Sequence, residues 1–310
     1  MTTNDILKKK NIFAGETRGD IVFDVVNCVI VVILSLIFLY PLIYVVSASF
    51  SSANAIWTGA VKLLPVEFTL RGYELAFQNN DIWTGYLNSI KYVSVGTLVS
   101  VSLSLVTAYP LSRRDFAPRN VVMFLYVFCI YFNGGLIPTY LLVKNLGLID
   151  TMWAVILPIS LSTWNIIMIR TFFTNTIPVE LREAAEMDGC SNTRFFLKIV
   201  IPLSSAIVAV MSLFYAVAMW NSYFGAMLYL SSRSKFPLQL ILREVLVVVQ
   251  MGVYNQGVAG TDVKNLQEIM RISATLKYTV IVIGSVPVLV MYPFVQKYFV
   301  RGIMIGAIKT

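Results

Sequence analysis

The chain has 310 residues, of which 57% are hydrophobic and 13% charged, with a formal net charge of +8 and no histidine. Soluble domains carry about 25% charged residues, so a water-soluble globular protein is excluded, and the missing histidine removes the commonest metal ligand and general base. The excess of positive charge suits basic loops beside a membrane, and no basic stripe interleaved with aromatics suggests nucleic-acid binding.

Residues 1–20 are polar, with Lys8, Lys9, Lys10 and Arg18, and read as a cytoplasmic tail. Residues 25–46 form the first apolar run. Ser47-Ala48-Ser49 imitates a signal cleavage site, but the run exceeds the ~7–15 residues of a secretory signal core, so an uncleaved span is expected. Residues 50–85 contain Trp57, Pro65 and Trp83 and read as an outer loop lying partly at the membrane interface. Residues 86–111 form the second span, with Lys91 near enough to the outer end to snorkel. The turn at 113–119 holds Arg113, Arg114 and Arg119; short and basic, it is expected on the cytoplasmic side.

Residues 121–143 form the third span, interrupted by Asn133, Gly134, Gly135 and Pro138. Such a break is tolerated in a bilayer only where protein or a cavity receives the freed backbone groups. After a short outer loop at 144–150, residues 152–172 form the fourth span.

The stretch from Pro178 to Pro202 is polar and flanked by apolar sequence on both sides. Residues 179–188 are good helix formers, with proline tolerated at the start. Leu181, Ala184, Ala185 and Asp188 recur at helical spacing, and the two alanines keep that face low enough for another surface to approach. Gly189 suits a left-handed stop. A second helix at 193–199 leads to Pro202 and the fifth span, 202–227. The expected motif is an exposed knuckle of helix, sharp turn and helix.

Residues 231–276 read as an outer loop with helical pieces, including an amphipathic tract at 262–276. Residues 278–299, with Pro287 and Pro293, form the sixth span, and residues 301–310 a cytoplasmic tail. The expected fold is an all-α membrane protein with its six spans within 21–300, and with both termini and the knuckle on one side. Cys28, Cys129 and Cys190 are scattered and offer neither metal spacing nor a disulfide framework. The sequence has no phosphate-binding G-x-x-x-x-G-K-[ST] loop. Neither a metal nor a cofactor is expected, and any energy source must lie on another chain.

Glu183-Ala184-Ala185, then Gly189 after three residues, then Ile199-Val200-Ile201-Pro202 after nine more, resembles the EAA signature of permease subunits of bacterial ATP-binding-cassette importers. The one departure is Ile201 where leucine is usual. The tract from Phe132 to Pro158 and the ending from Tyr292 resemble the maltodextrin-permease-like group for complex polysaccharides or oligosaccharides, with Thr310 in place of a usual glycine. The resemblance implies a type I importer permease fold that forms half of a translocation pore. It implies a second homologous permease, two copies of a cytoplasmic ATPase, an extracellular solute-binding protein and an oligosaccharide substrate. It also implies that the knuckle is a coupling helix docking on the ATPase, through Glu183, Ala184, Ala185, Asp188, Gly189, Ile199 and Pro202. The tail at 301–310 would reach between the ATPase subunits.

Spans three and five carry no charged residue between their ends, and span six only Lys297, two residues from its end. Ion-coupled carriers usually keep ionisable groups near the midplane, so a passage driven from outside the membrane is the better reading. A neutral sugar needs amide donors and aromatic faces. Trp220, Asn221 and Tyr223 in span five, and Tyr131 and Asn133 in span three, are the candidates for the path. Each has an ordinary alternative as an interface aromatic or an interhelical hydrogen bond. The competing function is a stand-alone secondary carrier or channel. A membrane enzyme is disfavoured, because no nucleophile-and-base set is recognisable.

Overall fold

The computed structural model describes residues 18–247, 274–293 and 296, and every regular element among them is helical. The chain opens with α1 (Arg18–Ser49), α2 (Ala53–Trp57), α3 (Arg71–Phe77) and α4 (Asn80–Ser112). It continues with α5 (Arg119–Tyr131), α6 (Leu136–Asn145), α7 (Met152–Ile156) and α8 (Thr163–Thr176). The knuckle contributes α9 (Val179–Met187), α10 (Asn192–Phe195) and α11 (Ile201–Leu203), followed by α12 (Ser205–Trp220) and α13 (Phe224–Tyr229). Residues 238–247 form α14, and Ala274–Pro293 forms α15.

Three helices, α1, α4 and α15, are long and apolar enough to cross a bilayer unaided. Three bent pairs bring the number to six when each is counted as one span: α5 with α6 at 116°, Met152–Ile159 with α8 at 55°, and Asn192–Leu203 with α12 at 81°. The six-span pattern therefore holds by length and composition, but half of the spans are not single rods.

The bends have local causes. Between α5 and α6 the chain enters the left-handed region at Gly135, φ 87°, and the Asn133 side chain takes the Gly135 N–H at 2.9 Å. The interruption expected there is present, as a sharp corner between two helices. The fifth span, expected over 202–227, is corrected: Pro202 belongs to the helix before the bend, and the spanning helix α12 ends at Trp220. Proline removes one backbone donor and crowds the preceding turn. The turn just before it, Phe196–Val200, widens into a π-helix, the Ser204 N–H bonds back to Val200 and Ile201, and α12 starts afresh. Of the sixth span, expected over 278–299, the helix Ala274–Pro293 is described; it is already helical four residues before the expected start, and residues 297–299 lie outside the described residues. The expected tract at 262–273 and both terminal tails, including Lys8–Lys10 and 301–310, lie outside the described residues.

Helix α4 is the axis of the fold. Its 33 residues are about 50 Å long, and α12 and α8 pack along it. Gly85, Ser89, Gly96, Ser100 and Ala108 are buried along its length. Small residues let helix backbones approach closely where no hydrophobic effect separates helix from lipid. A Cβ added at Gly85 would lie 3.0 Å from the Leu238 Cα, so α14 sits directly on the α4 backbone. The hydroxyls of Ser104 and Tyr215 bond at 2.7 Å across the α4–α12 contact, and Tyr215 also accepts the Ser162 N–H at 3.3 Å. One core cluster joins α4, α8, α12 and the knuckle through Leu105, Ile166, Val200 and Met211. By contrast α1 is exposed along nearly all its length and packs only near its end, where Tyr44 meets Tyr278 edge-on.

Candidate functional site

The knuckle forms as the residue pattern predicts, with one face reversed. Helix α9 ends in a turn at Gly189, φ 69°. The Gly189 N–H bonds the Glu186 carbonyl at 3.0 Å, and the Cys190 N–H bonds the Ala185 carbonyl at 2.9 Å. This is the paired closure that lets a helix stop sharply at a left-handed residue. Ser191 then caps α10 by accepting the Arg194 N–H. Ala185 points inward: it is only 9% exposed and joins Phe195, Phe196 and Val200 in the core cluster. The low face expected from Ala184 and Ala185 together is thus split, because consecutive residues of a helix point about 100° apart, so one packs on the body and its neighbour turns away. Glu180, Glu183, Ala184 and Asp188 face away from the body, as does Met187, which is 88% exposed. Ile199 is half-buried against the core cluster and belongs to the support of the knuckle, whereas Pro202 is exposed on the short helix that precedes α12.

A charge network fastens the knuckle to the turn between α4 and α5. Arg182 of α9 pairs with Asp115 at 2.6 Å and reaches Glu186 at 3.5 Å. Arg113 also pairs with Asp115, approaches Glu186 at 3.8 Å and donates to Asn192 of α10. Arg113 and Arg182 are largely shielded from solvent, whereas the two carboxylates are about half exposed. Hydrogen bonds from Arg113 and then Arg182 hold Asp115 well below the usual carboxylate range. The same Asp115 carboxylate raises the Arg113 guanidinium. Sequence reading singled out the basic turn and the knuckle separately; their pairing required the fold.

At the other end of α4 a second clasp joins two loops to the start of α4 and to α14. Asp150 adopts φ 59° and accepts from Lys235 at 2.7 Å, the Ser232 hydroxyl at 2.6 Å and the Ser231 and Ser232 N–H groups. The ion pair with Lys235 and these hydrogen bonds lower its pKa. Arg233 pairs with Asp81 at 2.7 Å and Glu244 at 3.3 Å.

Between these ends lies an open groove of about 760 Å³, walled by the end of α1, α14 and α15 and by the turn after α12. Asn221 and Tyr223, two of the candidates for the path, line it. Trp220 does not: it is 3% exposed, and its indole N–H donates to the Gly284 carbonyl at 2.9 Å, so it locks α12 to α15. Tyr131 and Asn133 sit at the corner between α5 and α6 and are absent from the groove wall. The groove also gathers Gln239 and Arg243 from α14, which sequence reading left within an outer loop. The available signal was the apolar pattern of Leu238, Ile241 and Leu242, which marks 238–247 as a helix with one buried face. Among the described residues no group of three His, Cys, Asp or Glu side chains is arranged to hold a metal.

Comparison with known proteins extends this picture. Residues 100–305 match the family model described as "Binding-protein-dependent transport system inner membrane component". The chain is 40% identical to the polygalacturonan/rhamnogalacturonan transport system permease protein YtcP of Bacillus subtilis (strain 168), over 93% of this chain and 98% of that protein. It is 37% identical to protein LplC of the same organism, over 94% of this chain and 97% of that one. Its fold matches a chain in the crystal structure of a bacterial ABC transporter that imports the acidic polysaccharide alginate. That match has a TM-score of 0.79 and 35% identity, covering 92% of this chain and 99% of that chain.

Proposed function

Since the chain belongs to the family of binding-protein-dependent transport system inner membrane components, we propose that its knuckle is where an ATPase takes hold of a pore for oligosaccharides. The chain is a permease subunit of an ABC importer for oligosaccharides, a multi-pass membrane protein of helical architecture. In the proposed assembly it pairs with a second homologous permease, two copies of a cytoplasmic ATPase and an extracellular solute-binding protein. ATP is bound and hydrolysed by the partner ATPases, and this chain needs no cofactor of its own. Both termini and the knuckle face the cytoplasm, in keeping with the basic turn at 113–119.

The observation that carries the coupling assignment is the outer face of α9. Met187 is 88% exposed at the tip of a structured, charge-fastened projection. A nine-residue helix is marginal alone, and a flexible methionine ringed by Glu180, Glu183 and Asp188 fits a cleft with apolar floor and basic rim. The proposed mechanism is mechanical. Closure of the ATPase pulls α9, and the Arg182–Asp115 and Arg113–Glu186 contacts pass the pull to α4 and α5. Phe195, Phe196 and Val200 pass it to α12. The test is Met187→Asp and Glu183→Ala, each in the complete complex. Both should lower ATPase co-purification and uncouple binding-protein-stimulated hydrolysis, the first more strongly. Wild-type behaviour in both would end the coupling assignment, and uptake by this chain alone without ATP would favour a stand-alone carrier.

A further inference from the structure

We infer that Arg243 is a specificity residue for the carboxylate of a uronate-containing oligosaccharide; this rests on the importer reading above and names its substrate class. Arg243 is the one charged residue among the described residues that line the groove. The facing residues of α15, from Val280 to Leu289, belong to the middle of a membrane span. A cation kept beside such a surface is expensive and marks a functional position by default.

Its partners do not neutralise it. A guanidinium carries five N–H donors in a planar fork. One amine of Arg243 donates to the thioether sulfur of Met227 at 3.0 Å, a weak acceptor. The guanidinium carbon also stands 5.4 Å from the Tyr223 ring centroid, so the ring face orients the fork without supplying negative charge. No carboxylate among the described residues pairs with Arg243: the neighbouring Glu244 is engaged with Arg233. The remaining polar groups of the wall, the amides of Asn221 and Gln239 and the hydroxyl of Ser285, suit sugar hydroxyls. A planar cation with no carboxylate partner among the described residues, held on an aromatic face among amides, matches a carboxylate on a hydroxyl-rich chain.

The groove lies beside the Asn80 half of α4, where Ile283 stands between groove residues Val282 and Gly284. Tyr86 donates to the Ile283 carbonyl at 2.6 Å, and it lies about 9 Å along α4 from Asn80. Arg243 would thus meet the sugar in the entry half of the passage. Lysine could supply charge there but not the bidentate fork.

The experiment uses the complete complex in proteoliposomes with its binding protein. The probes are tetrasaccharides of galacturonate, mannuronate and guluronate, with neutral xylotetraose beside them. Wild type is expected to import at least one uronate. Arg243→Gln should lower the initial rate of that uronate at least tenfold, and Arg243→Lys should recover part of it. Any xylotetraose uptake should change less than twofold, and the second permease and ATPase should still co-purify. An equal loss on charged and neutral probes, a loss of co-purification, or uronate uptake within twofold of wild type in Arg243→Gln would overturn the assignment. So would wild-type uptake of xylotetraose with refusal of all three uronates, which leaves the importer reading standing. Uptake of any probe without ATP and binding protein would instead strike the importer reading itself.

Discussion

Ala184 and Ala185 are neighbours with opposite surroundings, and the difference can be measured. Ala185 is packed in the core cluster, so Ala185→Trp overfills the chain's own body and should destabilise it by roughly 1–3 kcal/mol. Ala184 is exposed, so Ala184→Trp should leave the melting temperature of the purified complex unchanged and weaken ATPase binding instead. Thermal melts and co-purification together separate the two roles. Gly189 has φ 69° with open space around it. Gly189→Val therefore meets backbone strain, not a clash, costing about 1–2 kcal/mol. Reading the Glu183-Ala184-Ala185 and Gly189 pattern located the turn and the helix but could not assign the inward alanine. A small side chain is equally suited to a core and to a close external contact, and only the position of Val200 and Phe195 decides between them.

Asp115 sets the pH behaviour of the latch. Its folded pKa is depressed by Arg113 and Arg182. A group depressed on folding contributes stability that is complete above its unfolded pKa, about 4, and is lost as pH falls through the folded value. Asp115→Asn should accordingly lower the melting temperature by a constant amount between pH 6 and 8, and the gap should close in strong acid. The shift should be small, since half-exposed pairs contribute about 1 kcal/mol or less. A gap that widens as pH falls from 8 to 6 would contradict this linkage.

At the scale of elements, the junction of α4 and α14 governs the groove. Gly85 lies under α14, with the Ile241 Cδ1 atom 2.6 Å from where a Cβ would be. Gly85→Val should push α14 away from α4, destabilise the fold by roughly 1–3 kcal/mol, and reduce uptake more than it reduces ATPase binding. Uptake and co-purification falling in parallel would show that the knuckle end is disturbed as well. Apolar length alone made the spans legible, which is why α1 and α4 fall where expected. The bends at Gly135 and Ser204 were legible only as weak points. Glycine or proline marks where a helix can break, whereas the angle is fixed by what it packs on afterwards. The place of Trp220 is not legible in the sequence for a related reason. Its indole suits a sugar or a core equally, and the Gly284 carbonyl that claims it lies 64 residues further along the chain.

At the scale of the molecule, the exposure of α1 divides the chain into a packed body and a free apolar rod. Lipid satisfies such a rod, but its end also forms one wall of the groove through Leu42, Val45 and Val46. The groove is consequently open on a side that a neighbouring subunit could close.

The length of α4 has a further consequence. It runs about 50 Å from the Asp115 latch to the Asp81–Arg233 clasp. A stiff rod pinned near one end acts as a lever: a tilt of ~5° at the knuckle swings the far end by about 4 Å over that length. That stroke is comparable to the width of a sugar hydroxyl group with its hydrogen-bonding partner. The ends of the rod are tied by ion pairs, while its middle is seated on small side chains that offer little to snag. The knuckle end is then the pivot and the far clasp the load that the stroke carries, so a bulky substitution in the middle would act as friction.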